Sequence, residues 1–147
     1  MKSKQAKAHE FSQATRKMIY ERDGGCIFCQ IGYHMEGANP FALTMRSIMH
    51  FIPRSAGGLG IPENGAVGCQ WHHEMLDNGN SGRRQEMLEI FEEYLRKWYP
   101  SWNRANLTYS KWNFKQDSER GSTIDTLANY KQFQLVVPME NGKAGRK

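Results

Sequence analysis

The chain has 147 residues, of which 39% are hydrophobic, and this is enough for one modest domain with a small core. The length excludes a multidomain enzyme. Apolar runs stay well short of the roughly 20 residues that span a bilayer, and the first residues lead into no apolar signal sequence. We therefore expect a soluble, cytoplasmic protein with no membrane partner. The net charge of +5 favours a polyanionic partner, although solvated termini explain a moderate basic excess equally well.

The first half of the chain is predicted to hold a helix, a knuckle, a strand and a loop, in that order. Apolar residues at helical spacing predict a helix from Phe11 to Arg22, and Asp23-Gly24-Gly25 is expected to end it. The turn-rich segment over residues 26–40 indicates a tight knuckle. β-Compatible residues from Phe41 to Ile52 predict a strand, and seven Gly and Pro residues between 53 and 68 predict an irregular loop.

The second half of the chain is predicted to hold two helices and an extension. Residues Trp71 to Asp77 predict a short helix that ends at Asn78-Gly79, and Ser81 is expected to cap a longer helix. The core-facing stripe of that longer helix is Met87, Leu88, Phe91, Leu95 and Trp98. A further aromatic cluster is expected to pack on the same domain: Trp102, Tyr109, Trp112 and Phe114. Apolar density then falls, so we expect a domain over residues 1–114 and an extension of unknown role over 115–147.

Two short motifs carry metal-ligand spacing. Cys26-x-x-Cys29 places two thiolates on one tight turn, and Cys69-x-x-His72 repeats the spacing further along the chain. Four soft ligands suffice for a tetrahedral structural Zn²⁺ site, whose binding free energy would help to fold a loop-rich chain. The alternatives are buried thiols or a thiol redox protein, but no thioredoxin-like βαβ pattern surrounds the first pair.

Three further residues stand in a recognisable order around the second motif: His50, Asn64 and His73. With Pro53-Arg54-Ser55 and Gly57-Gly58 between them, and the zinc pairs at either side, the chain resembles the HNH endonuclease family. The resemblance covers roughly Arg16 to Asn78, and the flanking helices resemble those of small HNH proteins of bacteriophages and prophages. It implies an α+β protein with a ββα-metal core, also called a His-Me finger, a structural zinc knuckle and flanking α-helices. Residues 1–114 would form the nuclease domain.

The resemblance also implies a role for each of the three residues. His50 would be the general base that takes a proton from the attacking water, and a neutral imidazole suits that task near pH 7. Asn64 would tie down the long loop, and His73 would bind a catalytic divalent metal such as Mg²⁺, Mn²⁺ or Ni²⁺. The implied reaction is hydrolysis of DNA phosphodiester bonds that leaves 5′-phosphate and 3′-hydroxyl ends. The plainer alternatives are a packed strand histidine at 50 and an ordinary turn asparagine at 64.

One position departs from the family pattern. The residue before the base is commonly Asp, Glu or His and helps to bind the catalytic metal, whereas this chain has Met49, whose thioether is a poor ligand for a hard cation. Asp77 lies four residues after His73, on the same helix face, and could supply the missing oxygen, although a solvated carboxylate at the helix end is the alternative. If no residue supplies that oxygen ligand, the alternative is a catalytically impaired, zinc-stabilised scaffold that binds DNA or another partner.

Basic residues near these motifs are candidates for contacts with DNA phosphates. Arg54 follows the base at the mouth of the loop, and Arg83 and Arg84 precede the long helix; solvated arginines are the alternative. No base-reading motif is visible in the sequence. Because one site serves one strand, concerted cutting of both strands would need a homodimer, with its contacts expected in residues 115–147.

Overall fold

The structure, a computed structural model, describes residues 2–110, which lie almost wholly within the compact unit Met1–Tyr109. The expectations for Trp112, Phe114 and the extension 115–147 lie outside the described residues. Elements in chain order are α1 (Lys4–Ala8), α2 (Gln13–Asp23), α3 (Ile27–Gln30), α4 (Pro40–Thr44), β1 (Arg46–His50), β2 (Gly65–Cys69), α5 (Gln70–Asp77) and α6 (Arg84–Trp98). The predicted α+β class is therefore confirmed. None of the helices over 2–110 is both long and apolar enough to cross a bilayer.

The two strands form an antiparallel pair that separates two groups of buried side chains. The register runs from Arg46 opposite Cys69 to His50 opposite Gly65, and α5 follows β2 without a loop. Because side chains alternate across a strand, positions 48 and 50 share one face and positions 47 and 49 share the other. The first face packs in a small cluster of Phe11, Ile19, Ile48 and Val67. The second face packs in the main core, which also takes Met87, Phe91 and Leu95 of α6.

Helix α2 is confirmed, although it begins two residues after the predicted Phe11 and includes Asp23, and local chemistry explains both ends. The Ser12 Oγ accepts a hydrogen bond from the Thr15 N–H at 3.1 Å, which caps the first turn. Gly24 ends the helix in the left-handed region with φ 69°, a conformation that only glycine adopts without strain. The predicted end of α5 at Asn78-Gly79 is confirmed as well, since α5 stops at Asp77.

The prediction for the start of α6 is wrong. The helix begins at Arg84, and Ser81 makes no capping bond because Asn80 and Ser81 both have positive φ, at 50° and 53°. These two left-handed residues lie instead in the turn over Gly79–Gly82 that joins α5 to α6. The apolar stripe of α6 is confirmed in its central positions, where Met87, Phe91 and Leu95 are fully buried.

Two further predictions are wrong in part. Residues 40–44 form α4 and not a strand, because the Asn39 side chain accepts a hydrogen bond from the Phe41 N–H at 2.9 Å, and Pro40 occupies the first helical turn. The predicted loop over 53–68 is shorter than expected, since Gly65 already begins β2. Gly68 lies inside that strand. Glycine fits there because a Cβ would overlap the side chain of Met49.

A buried ion pair fastens α2 to the hairpin. The side chains of Arg22 and Asp23 have no exposure, and Arg22 Nε donates to Asp23 Oδ1 at 2.6 Å. Arg22 also donates to the backbone carbonyl of Gly65 at 2.6 Å, while the Val67 N–H donates to Asp23 Oδ2 at 2.7 Å. Although burial opposes its charge, the pKa of Arg22 is raised by the Asp23 carboxylate. The pair thus holds one end of β2 against α2.

Replacing Asp23 by Asn is expected to destabilise the domain by about 3–5 kcal/mol, because it leaves a buried guanidinium without its counter-charge. The measurement is the free energy of unfolding in urea at neutral pH. The slope of the transition is compared between variants because a changed slope would indicate a change in compactness or in two-state unfolding. Glu21→Gln is the matched control, since this carboxylate lies on the same helix with 55% of its side chain exposed and should change stability by about 0.5 kcal/mol or less. A loss below about 1 kcal/mol in Asp23→Asn would contradict the structural role of the pair.

Candidate functional site

Four candidate metal ligands meet between α3 and α5. They are Cys26, Cys29, Cys69 and His72, and their ligand atoms all lie within 4.8 Å of one another. The Cys29 and Cys69 Sγ atoms are 3.6 Å apart, and His72 Nδ1 lies 3.5, 3.4 and 3.2 Å from the three sulfur atoms. Zn–S bonds of about 2.3 Å and Zn–N bonds of about 2.0 Å give tetrahedral edges of about 3.7 and 3.5 Å. The predicted set is thus confirmed as a group that could hold a zinc ion.

Local structure explains why the two motifs converge. Cys26 and Cys69 each stand at the N-cap of a helix, where each sulfur accepts a hydrogen bond from the N–H three residues later, at 3.5 and 3.4 Å. The first turn of α3 or α5 then carries the second ligand of the pair on the same side as the first. N–H donors and the positive end of the helix dipole both favour the thiolate form that binds metal.

The backbone around the cluster fixes the histidine ligand. The Nε2–H of His72 donates to the carbonyl of Tyr33 at 2.5 Å, which leaves Nδ1 free to bind a metal. Burial raises the pKa of Cys26, but without metal a protonated His72 also donates from Nδ1 to the Cys26 sulfur, and this bond and the backbone N–H of Cys29 lower that pKa to about 6. Burial raises the pKa of Cys29 and Cys69, and the nearby Cys26 sulfur raises both further. Metal binding would therefore displace protons from this cluster.

His50 is held as a half-buried imidazole at the end of β1. Its Nε2 lies 3.1 Å from the backbone carbonyl oxygen of His9, and its ring packs against Phe11 with centroids 4.3 Å apart. A carbonyl oxygen can only accept a hydrogen bond, so Nε2 carries the proton of the neutral ring and Nδ1 keeps its lone pair. The arrangement is suited to a general base that acts through Nδ1.

Burial is the main reason why the His50 imidazole is neutral. Burial lowers the pKa of His50 below its ordinary value of 6.5, although the hydrogen bond to the His9 carbonyl acts in the opposite direction. The positive charge of Arg54 lowers this pKa further. At neutral pH the ring is therefore mostly in the form that accepts a proton.

Asn64 joins the two ends of the loop that follows β1. Its side chain is fully buried, and its Oδ1 accepts a hydrogen bond from the Ile52 N–H at 2.8 Å. Its Nδ2 donates to the carbonyls of Ile52 and Leu59, at 3.1 and 2.8 Å. These bonds fix the chain two residues after His50, which is the tying role that the HNH resemblance implies for this position.

His73 and Asp77 come together on α5. His73 Nε2 lies 3.5 Å from Asp77 Oδ2, and His73 Nδ1 lies 2.8 Å from the Ser47 hydroxyl of β1. One imidazole nitrogen and one carboxylate oxygen thus stand side by side at a partly exposed place. Within residues 2–110, the Cys₃His cluster is the group that brings three or more candidate metal ligands together. At the second place, His73 and Asp77 would therefore bind a metal with two side chains.

The side chain of Met49 packs in the core and does not face the candidate metal ligands His73 and Asp77 across an open site. It is 0% exposed, belongs to the main core, and points to the opposite face of β1 from His50. A carboxylate at this position would be buried among apolar side chains. The departure from the family pattern is therefore a packing feature of the strand.

The three predicted phosphate contacts lie in different surroundings. Arg54 is half-exposed, lies 3.5 Å from a carboxylate oxygen of Glu10, and acts electrostatically on His50. Arg83 acts instead on Glu86, which accepts a hydrogen bond from the Tyr33 hydroxyl. Within the described chain, the Arg84 Nε is buried without a hydrogen-bond partner. Of these three arginines, Arg54 is the one whose charge acts on the candidate base His50.

Comparisons of the chain with protein-family models, with curated proteins and with solved structures find no match. The HNH resemblance thus rests on its motif residues and stays a prediction. Sequence reasoning missed His9, Glu10 and Phe11, the N-terminal neighbours of the base. No spacing signal could have revealed them, because the contact between His9 and His50 joins residues 41 positions apart.

Proposed function

We propose that the chain is a metal-dependent HNH endonuclease that hydrolyses DNA phosphodiester bonds and leaves 5′-phosphate and 3′-hydroxyl ends. The observation that carries the proposal is the placement of His50, whose Nε2 lies 3.1 Å from the His9 carbonyl and whose Nδ1 is thereby left available as a proton acceptor. It ends a strand of a hairpin that is followed directly by the helix with His73.

Each residue of the site has a defined task in this proposal. His50 Nδ1 accepts the proton of a water molecule as that water attacks phosphorus. Arg54 binds a phosphate oxygen. Asn64 holds Ile52, which lies in the segment between His50 and Arg54. His73 and Asp77 present the nitrogen and oxygen ligands that suit Mn²⁺ or Ni²⁺, and the carboxylate also suits Mg²⁺. His73 and Asp77 would hold a divalent cation there, which would supply positive charge to offset the negative charge that develops during hydrolysis.

The first test is cleavage of supercoiled plasmid by zinc-loaded protein with added Mg²⁺, Mn²⁺ or Ni²⁺ and without added metal. Omitting metal is preferable to adding a chelator, which would also attack the zinc cluster. We expect metal-dependent nicking and 5′-phosphate ends that a ligase can reseal. Asp77→Asn should raise the metal concentration for half-maximal cleavage, whereas Glu74→Gln, a carboxamide control on the same helix, should not.

A second candidate function is a zinc-stabilised scaffold that binds DNA or a partner without cutting. The observation in its favour is the core position of Met49, which leaves two side chains, those of His73 and Asp77, to hold a catalytic metal. Absence of cleavage with every metal, from protein that retains its zinc, would overturn the nuclease proposal and favour the scaffold.

A further inference from the structure

The N-terminal segment, defined here as residues 8–11, lies against the candidate base on two sides. The carbonyl of His9 accepts the Nε2 proton of His50, and the ring of Phe11 packs on the imidazole. We propose that this segment is a positioning part of the base site and that His9 is the residue that sets the tautomer and orientation of His50. The inference rests on the proposed nuclease function for its kinetic consequence only.

The segment is fastened to the loop after β1 by two hydrogen bonds. The Nδ1–H of His9 donates to the Gly58 carbonyl at 2.7 Å, and the Gly60 N–H donates to the Ala8 carbonyl at 2.9 Å. The Leu59 carbonyl, between these two glycines, accepts a hydrogen bond from Asn64. The same loop therefore holds the segment on one side and is held by Asn64 on the other.

Close approach between segment and loop requires glycine at position 60. A Cβ at Gly60 would overlap the carbonyl of Glu10 and lie 2.6 Å from the backbone nitrogen of Phe11. Backbone atoms cannot turn away as a flexible side chain can, so a larger residue must push the segment off the loop. That shift would also move the His9 carbonyl relative to His50.

In this proposal the side chain of His9 acts on the contact with His50 through its own backbone. Its hydrogen bond to Gly58 orients the backbone whose carbonyl accepts from His50. Loss of that anchor would let the imidazole rotate and let its proton move to Nδ1, the nitrogen that must accept a proton from water. Misplacement of a catalytic group by about 1 Å can cost a factor of about 100 in rate.

The test uses three variants of the full chain with ¹⁵N-labelled histidine. In wild type at about pH 8, nitrogen chemical shifts should show a single His50 tautomer protonated at Nε2. His9→Ala should show mixed tautomers and a kcat lowered by about 10- to 100-fold with KM little changed. His9→Asn keeps an N–H donor for the Gly58 carbonyl and should restore both readouts. Gly60→Ala should reproduce the effects of His9→Ala by steric displacement.

Gly25→Ala is the matched control for Gly60→Ala. A Cβ at Gly25 would meet atoms of Gln30 and Arg46 at 3.5 and 3.7 Å, which are ordinary contacts, and Gly25 has no positive φ. This variant should keep the wild-type His50 spectrum and kcat. Circular dichroism and zinc content, measured on every variant, separate a local shift from loss of folding.

The outcomes separate this inference from the nuclease proposal. A single Nε2-protonated tautomer in both His9→Ala and Gly60→Ala would overturn the positioning role, whatever the activity of the protein. If wild type cuts no DNA but the tautomer responds to His9 as expected, the positioning inference stands and the nuclease proposal fails. If wild type cuts DNA and both folded variants keep full kcat, the positioning inference fails alone.

Discussion

Replacement of Cys69 by Ser is expected to abolish stoichiometric zinc binding and to unfold the domain at room temperature. Cys69 joins the end of β2 to the start of α5, and its sulfur lies among three other ligands. Structural zinc contributes about 10–16 kcal/mol of apparent binding free energy in zinc-finger peptides, which is comparable to the whole stability of a small domain. We expect one zinc ion per wild-type chain by elemental analysis, and loss of cooperative thermal unfolding in Cys69→Ser.

Two histidine substitutions, one of a zinc ligand and one of a histidine outside the cluster, provide the control for this prediction. His72→Ala should lower zinc content and stability strongly, because His72 Nδ1 faces all three sulfur atoms. His34→Ala removes a histidine whose side chain is 40% exposed and lies 3.7 Å from Glu86, and it should leave zinc content unchanged. Wild-type protein that contains no metal and keeps its thermal midpoint in the presence of a strong chelator would contradict a structural zinc site.

Replacement of His50 by Ala is expected to lower the cleavage rate by a factor of about 100 to 10,000, the usual contribution of a general base. The fold should tolerate the change, because the ring is half-buried at the edge of the small cluster and not within the main core. The effect should fall on kcat, since Arg54 and His73 remain to bind phosphate and metal. Zinc content should stay at the wild-type value, because none of the four zinc ligands changes.

Features encoded by neighbouring residues were predictable from the sequence. The zinc ligands come in pairs three residues apart, and the first turn of a helix places such pairs on one side. Gly24 ends α2 in the same local way, whereas the cap by Ser12, which starts the helix at Gln13, was not predicted. Asn39-Pro40 carried the signal for α4, but the β propensity of the following residues outweighed it in the prediction.

Features that depend on distant contacts were not predictable. Gly65 and Gly68 suggested a loop because glycine favours turns, but in β2 they make room for Phe11 and Met49. The buried bonds of Arg22 join it to the Gly65 carbonyl, 43 residues away, so its charge gave no hint of burial. The contact of His9 with His50 also forms only when the chain folds. For the same reason the sequence identified the candidate base but not the segment proposed to position it.

The most direct test of the account is plasmid cleavage by wild type, His50→Ala and His34→Ala in the same divalent metal, with zinc content measured for each. The account predicts nicked product from wild type and from His34→Ala, and a rate at least about 100-fold lower from zinc-loaded His50→Ala. Metal-dependent cleavage at the wild-type rate by His50→Ala would contradict the assignment of His50 as the general base.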